Sequence, residues 1–339
     1  MPAPVYLSHP ASLEHETGAH PERAARIAAI ERELEGRGWL GLRRIGSEPA
    51  AIESLTAVHD RAYIRSIQSQ CEQGGASLDP DTVVSPGSWL AALHGAGGAV
   101  GLVDLLLDGR APSGFSAHRP PGHHAERARA MGFCLFNNVA VAAAHALAAH
   151  GLQRVLVLDW DVHHGNGIEH IFQSSAAVLY CSIHEYPLYP GTGAASDIGA
   201  GPGSGYTLNL PVRGGSGDEC FVSLVQHVIA PVARSYRPQL VLIAAGYDAH
   251  ADDPLASCRV TESGYAAISA SMRLLCEELA IPCGVVLEGG YALGALARSV
   301  AATLEVFAAA TAPAQSDVAV HPVSRAARAR LSERWGLTY

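Results

Sequence analysis

The chain has 339 residues, 48% hydrophobic and 16% charged, with a formal net charge of -9 and a mean hydropathy of +0.14. This excludes a disordered or linker protein, and with no block of Lys or Arg outside the segment from Arg325 to Arg334 it excludes an electrostatic footprint for nucleic acid. Seven scattered cysteines, never spaced Cys-x-x-Cys, exclude a disulfide framework and a cysteine-based zinc site and suit a reducing cytoplasm. Neither export nor membrane insertion is expected, because no basic region leads into an apolar run at the N-terminus and the apolar stretches are broken short of the ~20 residues a span needs.

Short Val, Leu and Ile-rich runs predict buried strands at Gly114–Ala117, Arg154–Asp159, Ala177–Ile183, Tyr206–Leu210, Leu240–Ala245 and Cys283–Leu287. Helical patterns lie around and between them, at His20–Arg37, Ile52–Cys71, Ser88–Leu107, Asn137–Ala149, Asp218–Ser235, Glu262–Leu279 and Leu293–Ala309. This alternation predicts an α/β fold, a mostly parallel sheet with helices on both faces and a ligand site beyond the carboxyl ends of the strands. No long polar linker divides the chain, so one domain is expected, with a core over about 5–310 and a C-terminal extension over about 311–339.

The unusual polar clusters fall just after strands. Asp159, Asp161 and His163 alternate at the end of one predicted strand, so their side chains share a side and Asp161 and His163 can grip one cation. The alternative is a polar loop whose Asp caps the next helix. A third ligand has to come from another strand end, and Asp248 in Gly246-Tyr-Asp, after Leu240–Ala245, is the best candidate. His123 and His124 stand in tandem in a Pro-Pro-Gly loop that restricts them, which suits a general acid and base, with Asp159 and Asn166 as candidate orienting partners. Tyr291, after Gly289-Gly290, can donate to a developing oxyanion. Phe133, beside Gly132, and Tyr189 can wall a narrow apolar tunnel.

These motifs in this order resemble the zinc-dependent histone deacetylases, including their bacterial histone-deacetylase-like and acetylpolyamine amidohydrolases. The resemblance runs from His20-Pro-Glu22 through Arg119-Pro-Pro-Gly-His-His124, Gly132-Phe-Cys-Leu-Phe-Asn-Asn138, Asp159 to Gly167, Pro190-Gly-Thr-Gly193 and Gly246-Tyr-Asp248 to Glu288-Gly-Gly-Tyr291. It implies a single-domain arginase/deacetylase fold with zinc, or iron(II) in the cell, on Asp161, His163 and Asp248. His123 and His124 would be the catalytic pair, oriented by Asp159 and Asn166, and Tyr291 would polarise the acetyl carbonyl; which histidine is the base stays open. A structural potassium ion is implied on Asp159, Asp161, His163 and Ser182, with the backbone near Trp160 and Ile183. Asn166, where class I enzymes carry Asp, makes the chain class II-like.

The implied reaction is hydrolysis of an acetyl amide by activated water, on an acetylated peptide, protein or small amine, with Gly132, Phe133, Tyr189 and Leu255 against the substrate. The runner-up substrate is an acetylpolyamine. The polyamine-preferring relative has a glutamate near the tunnel mouth where this chain has Leu255, although Asp252 and Asp253 lie next to it. A non-catalytic binding module and a binuclear manganese ureohydrolase are less favoured. No large insertion of the kind through which acetylpolyamine enzymes dimerise lies between Cys71 and Pro86, and the oligomeric state is not legible.

Overall fold

In the computed structural model, which describes residues 2–314 and 317–337, the apolar runs become strands of one sheet. The strands are β1 (Val5–Ser8), β2 (Arg43–Gly46), β3 (Ala76–Ser77), β4 (Val83–Val84), β5 (Ser113–Ser116), β6 (Val155–Asp159), β7 (Val178–Glu185), β8 (Thr207–Val212), β9 (Leu240–Ala245) and β10 (Cys283–Leu287). Eight of them form a sheet in the order β2-β1-β5-β10-β9-β6-β7-β8, every neighbouring pair parallel, while β3 and β4 make a small antiparallel pair.

The helices are α1 (Ala11–Glu14), α2 (Ala25–Gly36), α3 (Ile52–Thr56), α4 (Arg61–Glu72), α5 (Ser88–Leu107), α6 (Asn138–Ala149), α7 (Asn166–Phe172), α8 (Asp218–Leu224), α9 (Ala230–Tyr236), α10 (Glu262–Leu279), α11 (Leu293–Ala308) and α12 (Pro322–Trp335). They cover both faces of the sheet, which is why the strands read as continuous apolar runs and not as alternating ones. Alternate residues of β9 show the division. Val241 and Ile243 join a core with α2 and α8 to α12, and Leu240 and Leu242 join a second core with α5, α6 and α7.

The α5 helix is long and apolar enough to cross a membrane by length and composition alone, but most of its apolar side chains pack into the core here, Leu90 being an exposed exception. It approaches the sheet over a shallow groove made by Gly114 and Gly284, which are register partners on β5 and β10. A Cβ on Gly114 would stand 2.5 Å from Val5 Cγ2 and 2.6 Å from Leu102 Cδ1.

The fold is richer than the sequence pattern predicts. Strands β1 and β2 were not expected: β1 is only four residues long, and β2 is a largely exposed edge strand reading Arg-Arg-Ile-Gly. The helix expected from His20 begins at Ala25, because His20 to Glu22 are held in a loop by their own hydrogen bonds. The one expected over 52–71 breaks into α3 and α4 around His59, whose ring bonds the Glu126 carbonyl at 2.9 Å and the Asn137 N–H at 2.9 Å. A π-turn, Val225–Ile229, joins α8 to α9 just ahead of Pro231, which lacks the N–H an α-helical turn would use. In the C-terminal extension, α12 packs Ala327 and Leu331 into the first core, and Arg334 lies over the Tyr206 ring at 4.8 Å.

Gly114→Ala should destabilise the chain by ~1–3 kcal/mol through overpacking, with no change at the strand ends. Urea unfolding followed by circular dichroism measures this, and wild-type stability would mean that α5 shifts freely over the sheet.

Candidate active site

Four neighbouring strands, β5, β10, β9 and β6, send their carboxyl-end loops to one place. The turn after β6 is tight. The Asp161 N–H donates to Asp159 Oδ1 at 3.1 Å, and the His163 N–H donates to Asp161 Oδ1 at 2.9 Å. Asp248, after β9, accepts the Val162 N–H at 2.9 Å, so the two loops are stitched together. From the β10 loop, the Gly289 N–H donates to the other Asp161 oxygen at 2.9 Å.

His163 Nδ1 consequently sits 3.2 Å from both Asp161 Oδ1 and Asp248 Oδ2, and the three donor atoms lie within 4.8 Å of one another. Room for them depends on glycine: a Cβ on Gly246 would collide with the Asp161 carboxylate, and one on Gly289 with that of Asp248. One imidazole and two buried carboxylates converging in a glycine cradle fit a divalent cation of the zinc or iron(II) kind.

The tandem histidines stand beside this triad with rings 3.9 Å apart and in unlike environments. His123 Nδ1 faces Asp159 Oδ2 at 3.2 Å. Burial works against charge on His123, but Asp161 and Asp159 outweigh it and push its pKa up to about 10. His124 Nδ1 faces Asn166 Oδ1 at 2.8 Å. The Asn166 amide is oriented by its NH2, which donates to Glu126 Oε1 at 2.9 Å, so its oxygen receives the His124 Nδ1–H. Burial and the neighbouring His123 and His163 hold His124 well below its ordinary pKa, which leaves a neutral ring with a free Nε2 lone pair. Two titratable groups driven apart in this way are suited to different roles in proton transfer.

A cavity of about 220 Å³ opens over this floor, lined by His124 and His163, by Gly132, Phe133, Leu188, Tyr189 and Leu255 on the walls, and by Tyr291 and Asp81. Gly132 adopts φ +56°, and a Cβ there would strike the His124 ring. Phe133 meets Tyr291 edge-on at 5.7 Å, and Tyr189 meets His124 edge-on at 5.1 Å. Burial keeps the Tyr291 phenol protonated and able to donate. A larger cavity of about 530 Å³ lies near the amino ends of the strands and has none of these groups.

The structure thus brings together every residue the sequence singled out. Ser182 also lies close, as the register partner of Asp159 on β7. Residues to which the sequence reading gave no positioning role hold the rest in place. Glu288 accepts the Gly122 N–H at 2.6 Å and the His123 N–H at 3.0 Å, fixing the histidine loop. The Tyr180 hydroxyl donates to Asp159 at 3.0 Å. Asp253 accepts the N–H groups of Tyr291 at 2.7 Å and Ala292 at 3.1 Å, while its other oxygen accepts that of Leu255 at 3.1 Å. Arg26 donates to the carbonyls of Glu288 at 2.5 Å and Gly290 at 2.6 Å. Alternation along the strands could have flagged Tyr180; the others bond mainly through backbone groups, which leave no sequence signature.

A parallel α/β sheet carrying an Asp, His, Asp triad and paired histidines at its strand ends defines a metal-dependent hydrolase. The histone deacetylase domain model matches residues 20–307, and the chain belongs to the histone deacetylase family, a metal-dependent family of hydrolases acting on acetylated amides. It is 38% identical over 318 residues to histone deacetylase 14, chloroplastic, of Arabidopsis thaliana, covering 88% of this chain and 75% of that one. It is 38% identical over 306 residues to the polyamine deacetylase HDAC10 of Homo sapiens, covering 86% of this chain and 45% of that one. The crystal structure of the HDA15 HD domain superimposes with a TM-score of 0.92 at 36% identity, covering 99% of this chain and 96% of that one.

Replacing Asn166 by Asp puts a carboxylate against His124 Nδ1, with the partly exposed Glu126 free to turn outward. The charged ring gains, so the pKa of His124 rises, and the acidic limb of the pH profile of kcat/KM, below which His124 is protonated, should move up by about one unit or more. An unmoved limb would take His124 out of the titration that limits turnover.

Proposed function

We propose that the chain is a zinc-dependent amidohydrolase that removes acetyl groups from acetyl-lysine in peptides or proteins. The observation carrying this reading is the Asp161, His163 and Asp248 triad at the floor of a small, largely apolar cavity flanked by His124 and Tyr291. Zinc held there, or iron(II) in the cell, would supply the Lewis acidity that brings the pKa of water toward ~7 and polarises the amide oxygen. A potassium ion on Asp159, Asp161, His163 and Ser182 belongs to the same proposal, supported by the pairing of Asp159 with Ser182. The deacetylase domain would span about 5–310 with 311–339 as an extension, and seven buried free thiols suit the cytoplasm.

His124 is the group placed to accept a proton from the attacking water, since its Nδ1–H is committed to Asn166 and its Nε2 is free. His123 is held through Nδ1 by Asp159, and its Nε2, 3.8 Å from Asp161 Oδ1, can donate to negative charge that develops beside it. The Tyr291 O–H donates to the amide oxygen as that oxygen gains charge. The proton on His124 then passes to the departing amine, the C–N bond breaks, and the products are acetate and a free amine. Gly132, Phe133, Leu188, Tyr189 and Leu255 take the aliphatic stem of the acyl-lysine and exclude water.

An acetylpolyamine is the second reading. Leu255 at the cavity offers no charge to a secondary ammonium, and neither neighbouring acid replaces it. Asp253 spends both oxygens on backbone N–H groups, and Asp252 lies 3.8 Å from Arg298 in a salt bridge. Asp81 lines the same cavity, and its carboxylate suits a peptide N–H and an ammonium alike, so the preference for a peptide rests on Leu255.

With zinc-loaded protein, an acetyl-lysine peptide should be turned over faster than acetylspermidine, and Asp248→Ala should abolish both activities; polyamine-only turnover would overturn the substrate. Tyr291→Phe should lower kcat by ~100-fold or more, and near wild-type turnover would remove the phenol from the reaction. Leu255→Glu should shift the ratio of kcat/KM values toward acetylspermidine by roughly 10-fold, by pairing the ammonium. An unchanged ratio would show that Leu255 does not read the substrate.

A further inference from the structure

A second cluster with the chemistry of a metal site lies on the helical layer, away from the cavity. Asp104 is in the last turn of α5, His145 is in α6, and His150 is the residue that ends α6. His145 Nε2 stands 2.7 Å and His150 Nε2 2.8 Å from the same oxygen, Asp104 Oδ1. The rings meet edge-on at 77° with centroids 5.5 Å apart, and the three donor atoms all lie within 4.8 Å of one another. The side chains are only 19%, 22% and 41% exposed for His145, His150 and Asp104, so the cluster is fixed but reachable from solvent.

We propose that Asp104, His145 and His150 form a second transition-metal site, taking zinc or a similar imidazole-seeking cation such as nickel(II), with solvent completing its coordination. Two imidazole nitrogens and one carboxylate are the ligand types that such cations select over magnesium or calcium, which prefer oxygen alone. As it stands, two N–H groups crowd onto one carboxylate oxygen. With each ring proton moved to Nδ1, a cation can sit among the three atoms, and each N–O pair needs to spread by only ~0.5 Å to suit metal–ligand distances near 2.0–2.2 Å. The carboxyl ends of both α5 and α6 point here, and their negative dipole ends favour a cation further.

The position gives the site a consequence for the enzyme. Toward their amino-terminal halves the same two helices meet where Gly95 of α5 faces Asn138 at the start of α6. Asn138 donates to the Pro120 carbonyl at 3.2 Å, and Asn137 to that of Ala125 at 3.0 Å. Those carbonyls belong to the loop that holds His123 and His124. A metal across Asp104, His145 and His150 would therefore clamp the helix pair that supports this loop.

Zinc chloride titrated calorimetrically into the metal-stripped full chain tests the proposal. The wild-type chain should bind one equivalent beyond the active site, a His145→Gln/His150→Gln variant should lose that equivalent, and Asp248→Ala should keep it. The rise in Tm on adding zinc to Asp248→Ala should vanish when the two histidine changes are combined with it. The proposal is overturned if the double-histidine variant binds as many equivalents as wild type. It is equally overturned if Asp248→Ala binds none. A wild type binding one equivalent that only the histidine changes remove would uphold this site and refute the active-site metal, so the two readings fail separately.

Discussion

Asp159, Asp161 and Asp248 are each 0% exposed at the carboxyl ends of the adjacent strands β6 and β9, and the surrounding architecture answers the cost of that burial. A buried carboxylate costs several kcal/mol unless donors surround it. Here the donors are the N–H groups of Asp161, Val162, His163 and Gly289, the Tyr180 hydroxyl and the rings of His123 and His163. They arrive on different strands, so the site exists only while the parallel register holds β10, β9, β6 and β7 in step. A divalent cation at the triad would neutralise most of the remaining charge, which ties affinity for the metal to the stability of the fold.

Behind that layer lies a second buried set of charges. Glu22 is 0% exposed and is paired with Arg119 and Arg26. Burial alone would raise its pKa, but Arg119, His15 and Arg26 together hold it at about 2, so it is ionised whenever the protein is folded near neutral pH. Arg119 reaches the carbonyl of Ser12 at 2.7 Å, and Arg26 those of Glu288 and Gly290. The loop bearing Tyr291 is thus anchored from the amino-terminal segment, through groups that never touch the cavity.

How much of this was legible in the sequence follows from which forces leave a pattern. The central strands announced themselves because both faces are buried, and the triad was legible only as a combination, since each Asp alone reads as a turn or cap residue. The four-residue β1 is buried as deeply as the central strands but is too short for periodicity to register. Helix α12 hides for another reason: its buried stripe is Ser324, Ala327 and Leu331, two of them small, in a segment rich in arginine. The pairings of His123 with Asp159 and of His124 with Asn166 were expected and are present as contacts. Asp253, Glu288 and Arg26 were not expected in their positioning roles, since each binds peptide groups that any sequence supplies. Asp81 at the cavity was missed because β3 and β4, which bracket its turn, are two residues each.

Asp253 has an implication for how such a site changes over evolutionary time. One carboxylate holds both the backbone of Leu255 and that of Tyr291, two residues that line the same cavity. A change in the length or path of the Leu255 loop would carry the backbone of Tyr291 with it, because the two share one carboxylate. Side-chain exchange on a fixed backbone is the route left open.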